Sequence, residues 1–167
     1  MIDMKVLMLY FSLGGRTKKV AECISERLNN SDVRIEQLEY TKKKRDFLSE
    51  QSEVMKGDLS SFKYNEDIKD LASYDLIFLG FPTHGGRPAT IFNGYLEHAQ
   101  NIKGKNFIVF NTCRFSSGKT LDNMEAEIKE RGGSVINRRT FKGFFRIKTS
   151  KVYDFVEELN QELPKSE

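Results

Sequence analysis

Two hydrophobic periods alternate along the chain. Residues 5–11, KVLMLYF, form a nearly continuous apolar run, as expected of a strand covered on both faces. A Ser/Gly turn follows, and Val20, Ile24 and Leu28 then recur at helical spacing. Residues 33–38 alternate apolar with polar and predict a second strand nearer a sheet edge. Within 43–62, Phe47, Leu48, Gln51, Val54, Met55 and Leu59 fit one helix face, with a break expected around Gly57. Residues 75–80, DLIFLG, predict a central strand, and Phe92, Tyr95, Leu96 and Ala99 mark a helix beginning after Pro88. Residues 106–112, NFIVFNT, predict another buried strand, followed by a helix on Leu121, Met124 and Ile128 that ends at Gly132-Gly133. Residues 135–141 supply a weaker last strand. The closing helix carries Val152, Phe155, Val156, Leu159 and Leu163 on one stripe and stops at Pro164.

Strands alternating with helices predict an α/β fold: a three-layer, doubly wound, five-stranded parallel sheet. Right-handed crossovers leave few topologies, and the order 2-1-3-4-5 fits best. Ligands of such sheets sit beyond the carboxyl ends of the strands, at the switch point between the first and third. With no internal repeat, low-complexity tract or linker, residues 1–167 read as one domain with one core.

Composition narrows the class. Hydrophobic residues at 38% and charged residues at 31% give an ordinary soluble balance rather than that of a disordered chain. No apolar run approaches the roughly 20 residues that span a bilayer. The opening Met-Ile-Asp-Met-Lys leads straight into a strand without a basic-then-apolar signal segment, so a cytoplasmic location is expected. Cys23 and Cys113 have no metal-ligand spacing and read as two reduced thiols. The net charge of +3 is too small to argue for nucleic acid, and the basic run from Lys42 to Arg45 reads as well as a solvated helix start as a partner patch.

Three loops meet at the switch point. The first, Ser12-Leu13-Gly14-Gly15-Arg16-Thr17, runs from the first strand into the first helix. Small residues let successive N–H groups converge where the helix dipole is positive, and Ser12, Thr17 and Arg16 can add donors, so the loop suits a phosphate monoester. A plain turn capped by Ser or Thr would read the same way. The loop lacks both the Lys-Ser/Thr ending of a triphosphate loop and a GxGxxG pattern. The second loop carries Pro82, Thr83, His84, Gly85, Gly86 and Arg87, a glycine pair between prolines that suits a flat ring lying against backbone. His84 either stacks on such a ring or is a surface histidine on a turn. The third, from Thr112 and Cys113 through Phe115 to Gly118, mixes small, polar and aromatic groups; Phe115 either covers a ligand or belongs to the core. Nothing near Cys113 marks it as an activated nucleophile.

Together these loops resemble the flavodoxin-like superfamily across nearly the whole chain, and the small prokaryotic flavodoxin family proteins most closely. The stretch YFSLGGRTKKVAE is similar to that family's opening, with Ser12, Gly15 and Thr17 matching and Gly14 and Arg16 standing where the family has Thr and Asn. The segment from Tyr74 to Ala89 is similar to the family's Tyr-Asp-Leu strand and flavin-contacting loop, with His84 where an aromatic is frequent. The basic run with its following helix and the Phe141–Phe145 ending also resemble family features. The resemblance implies FMN, with its phosphate at residues 12–17 and its ring between 81–88 and 112–118. Two lost hydrogen bonds in the phosphate loop would weaken binding about tenfold to a hundredfold without abolishing it.

Two functions compete within this reading: an electron carrier serving a redox partner protein, and a reductase taking electrons from NAD(P)H to a small acceptor such as a quinone. Arg87 and Arg114 in the ring-side loops favour the anionic reduced flavin and two-electron chemistry, and so the reductase. The contrasting class is an interaction module that no longer binds flavin. A low-molecular-weight phosphatase would need a cysteine in the first loop, and a receiver domain an Asp ending the third strand; Gly80-Phe81-Pro82 stands there instead. The resemblance also implies a homo-oligomer with the flavin near an interface.

Overall fold

A computed structural model describes residues 3–165. Of the opening read for a signal segment, Met1 and Ile2 lie outside the described residues. Strands β1 (Met4–Tyr10), β2 (Ser31–Gln37), β5 (Leu76–His84), β7 (Asn106–Cys113) and β8 (Ser134–Lys142) form one parallel sheet in the order β2-β1-β5-β7-β8. Numbered by position among these five, this is the expected 2-1-3-4-5. The elements between them are α1 (Arg16–Arg27), β3 (Glu39–Tyr40), α2 (Lys44–Met55), β4 (Phe62–Lys63), β6 (Arg87–Pro88), α3 (Ile91–His98) and α4 (Thr120–Glu130). The last described helix is α5 (Thr149–Glu162), which ends two residues before Pro164.

The apolar runs explain the layers. Side chains of a strand point alternately to opposite faces. Val6, Met8, Leu76, Phe78, Ile108 and Phe110 therefore pack against α1 and α5, through Val20, Ile24, Val152 and Phe155. Leu7, Leu9, Ile77, Leu79, Phe107 and Val109 pack against α2, α3 and α4 through Phe47, Phe92, Tyr95 and Met124. All are buried, and each contributes about 1.5–3 kcal/mol by leaving water. At the edge, β2 pairs only with β1, and none of its residues is fully buried.

On α2 only Phe47 and Val54 of the expected apolar face are buried, while Leu48 and Met55 are exposed, and three features of the backbone also depart from the sequence reading. The third sheet strand does not stop at Gly80 but runs on to His84, pairing with β7 as far as Pro82 and Thr112. It then returns through Gly85-Gly86 into β6, so the expected open loop is a β-hairpin. Gly85 (φ 61°) and Gly86 (φ 77°) both lie in the left-handed region, which a two-residue hairpin turn of this hand demands and other residues resist. The second departure is a small β3-β4 antiparallel pair, and the third a 3₁₀ turn at Glu66–Lys69. Both are too short for periodicity to reveal. Among the described residues, no helix is long and apolar enough to cross a membrane.

Candidate functional site

The carboxyl ends of β1, β5 and β7 wall a cavity of about 430 Å³. Ser12, Leu13, Gly14, Arg16 and Thr17 come from the β1–α1 segment, and Pro82, Thr83, His84, Gly85 and Gly86 from the hairpin. Thr112 and Cys113 come from the end of β7 and Phe115 from the segment after it. Three expected residues do not line it. Gly15 is the left-handed cap of α1, Arg87 faces a separate concavity beside Lys119 and Asn93, and Gly118 lies behind the hairpin turn. Lys44, Arg114 and Ser116 line the cavity as well. The last two belong to the loop already singled out. Lys44 sits in the basic run, and nothing in the sequence says that the first turn of α2 reaches the cavity.

In the first segment, the Gly15 N–H donates to Ser12 Oγ at 3.0 Å. A hydroxyl has one proton of its own, so Ser12 keeps a donor for a ligand. The first intrahelical bond runs from the Lys19 N–H to the Gly15 carbonyl at 3.0 Å. The amides of Arg16, Thr17 and Lys18 precede it, have no partner within the helix, and carry the positive end of its dipole. Thr17 is buried, and its hydroxyl meets that of Thr112 at 2.8 Å. One proton joins the two oxygens, and the other remains to be donated.

Arg16 reaches across the cavity. Its Nη2 donates to the Cys113 carbonyl at 3.0 Å and also to the Gly143 carbonyl, tying the start of α1 to the ends of β7 and β8. Its Nε is buried with no protein partner. Desolvation, then the nearby Arg114, lowers its pKa, but guanidinium stays protonated at any ordinary pH. With Arg16, Lys44 and Arg114 in the wall and no carboxylate among its described lining residues, the cavity is electropositive.

The hairpin wall is fixed by partly buried polar contacts. The Asn111 amide donates to Thr83 Oγ1 at 2.7 Å, Thr140 donates to Asn111 Oδ1 at 2.7 Å, and Thr83 and Thr120 share a proton at 2.8 Å. At the turn, the Lys119 N–H donates to the Gly86 carbonyl at 2.8 Å. A Cβ on Gly118 would lie 2.6 Å from Gly86 Cα, so Gly118 is present for this close approach. His84 stands edge-on to Phe47 with centroids 5.7 Å apart, and burial lowers its pKa, leaving the ring neutral at pH 7 with one donor and one acceptor nitrogen.

Burial raises the Cys113 thiol against the opposing influence of Lys142 and Arg16, so at neutral pH it is not a thiolate nucleophile. Phe115 is 68% exposed and therefore not core. Its ring lies 5.1 Å from that of Phe144, which lies 4.6 Å from Phe145, a cluster at the cavity rim. Among the described residues, no three His, Cys, Asp or Glu side chains gather to hold a metal ion.

Residues 5–158 match the model of a flavodoxin family. Among solved structures, a Lactobacillus acidophilus flavoprotein in complex with FMN is similar at a TM-score of 0.62 and 23% identity, over 82% of this chain and 93% of that one. A candidate flavoprotein of Bacteroides uniformis is similar at a TM-score of 0.68 and 23% identity, over 93% and 99% of the two chains. The two-electron reduced flavodoxin of Megasphaera elsdenii is similar at a TM-score of 0.62 and 19% identity, over 95% and 99%. At these identities the likeness concerns the fold. No curated protein sequence matches the chain.

Proposed function

The chain belongs to the flavodoxin family, and from that premise we propose that its cavity binds FMN non-covalently and that the protein passes electrons through the flavin. The observation that carries this reading is the set of donors at the start of α1. The Ser12 hydroxyl, the amides of Arg16 to Lys18 and the orphaned Arg16 Nε suit the phosphate of a flavin mononucleotide. The volume of about 430 Å³ lies in the range of pockets that take ligands of this size. Residues 12–17 hold the phosphate, and the hairpin 82–86 and the segment 112–116 hold the ring. When bound, the flavin supplies the redox chemistry.

The protein sets the field around it. Arg16, Lys44 and Arg114 favour negative charge in the cavity, which favours two-electron delivery to a small acceptor such as a quinone, with NAD(P)H as donor. Arg87, facing away from the cavity, contributes least. Absorbance of the purified protein before and after adding FMN and desalting tests the cofactor: flavin bands that stay with the protein support it. Anaerobic bleaching by NADH or NADPH then assigns a reductase, and no bleaching a carrier. A protein that keeps no FMN leaves the interaction-module reading.

A further inference from the structure

Because the five sheet strands run parallel, the segments following them emerge at one end of the molecule, where the cavity opens. Residues 11–17, 38–45, 83–90, 113–120 and 142–149 together hold eleven Lys and Arg and one carboxylate, Glu39. The remainder holds sixteen Lys and Arg against twenty-three Asp and Glu. These segments therefore carry +10 and the rest of the sequence −7, a polarity hidden inside the net +3, with Glu50, Asp46 and Asp58 standing close to Lys42 at one corner. Most of these cations, including Lys43, Arg45, Arg114, Lys119, Lys142 and Arg146, are exposed, while Lys42 pairs with Glu50. Beside the cavity mouth stand Phe115, Phe144 and Phe145, which are 68%, 48% and 88% exposed and packed ring against ring.

We propose that this end of the molecule is the docking surface for a small acidic electron-transfer protein. The inference rests on the FMN reading for its purpose and on the charge distribution for its substance. From β2 to β8 the sheet end spans roughly 20 Å, four inter-strand steps, so its cations are spread too widely for one small anion. An aromatic patch within a charged rim is the anatomy of a protein interface, and a single-sign field steers an oppositely charged partner. A bilayer seated here would close the cavity to water-borne electron donors. An acidic redox protein instead brings its own centre to the mouth.

The test uses the full chain reconstituted with FMN and three probes: an acidic plant-type ferredoxin, basic cytochrome c, and vesicles of phosphatidylcholine mixed with phosphatidylserine. Ferredoxin is expected to bind best. Its affinity should fall at least tenfold between about 0.01 and 0.15 M salt, as the screening length drops from about 30 to about 8 Å. Lys43→Glu combined with Arg146→Glu, both exposed and outside the cavity wall, should weaken ferredoxin binding about tenfold with flavin retention unchanged. Absence of ferredoxin binding at low salt, equal binding of cytochrome c, or capture by vesicles in place of ferredoxin overturns the proposal. Retained flavin without ferredoxin binding defeats the docking surface alone. Ferredoxin binding by a protein that keeps no flavin defeats the cofactor reading alone.

Discussion

The hairpin at 83–88 and the segment at 113–116 wall the same cavity but are held in different ways. The hairpin is locked from within: Thr83 joins Asn111 and Thr120 in a partly buried network, His84 leans on Phe47, and the Gly86 turn is pressed against Gly118. The segment at 113–116 ends in exposed residues; the Cys113 carbonyl accepts from Arg16 and from the Gly143 N–H, and Phe115 rests on Phe144. The Arg16 guanidinium also holds Gly143, so one side chain joins two neighbouring turns. The contrast teaches that one wall of a cavity can be held by interior packing and another by backbone pairing, one charged side chain and an exposed ring contact.

Breaking the hairpin wall should have the largest effect. Gly118→Ala puts a methyl group 2.6 Å from Gly86 Cα at a residue whose φ is +53°, and should cost about 2–3 kcal/mol in denaturant unfolding. A loss below about 0.5 kcal/mol would mean that the hairpin is not locked. Arg16→Ala should cost about 2 kcal/mol by removing hydrogen bonds from a charged group. Amide exchange should quicken at 113–116 and 143–146 and stay unchanged in the hairpin; equal quickening in both would erase the contrast. Ser12→Ala with Thr17→Ala should weaken FMN at least about tenfold, read by fluorescence titration. An unchanged affinity would remove the phosphate from residues 12–17.

The smallest effect concerns pH. Burial lowers the His84 pKa in the folded chain, so below the unfolded value of about 6.5 the unfolded state takes up a proton that the folded state resists. Stability should therefore fall as pH drops from about 7.5 through about 6.5 to 5.5. His84→Gln should lose less stability over that window than the natural chain. Equal losses would place His84 in water rather than against Phe47.

Much of this was legible in the sequence. Continuous apolar runs such as KVLMLYF and NFIVFNT specify strands buried on both faces, because only helices on both sides of a sheet can cover them. Alternation with helical stripes then leaves little but the observed strand order. The Ser/Gly segment after β1 was legible too, since a strand running into a helix through small residues leaves amides facing outward. Local pattern could not show that β5 outruns Gly80, because that extension depends on pairing with Thr112, a partner 30 residues away in sequence. Nor could it place Lys44 in the cavity wall, aim Arg87 elsewhere, or draw Arg16 to Cys113 and Gly143, 97 and 127 residues distant. Periodicity and turn chemistry are properties of neighbours in the chain, and they determined the fold and the end of the sheet where the cavity opens. Which charged side chain faces the cavity depends on how separate loops meet in space, and only the tertiary structure decided that.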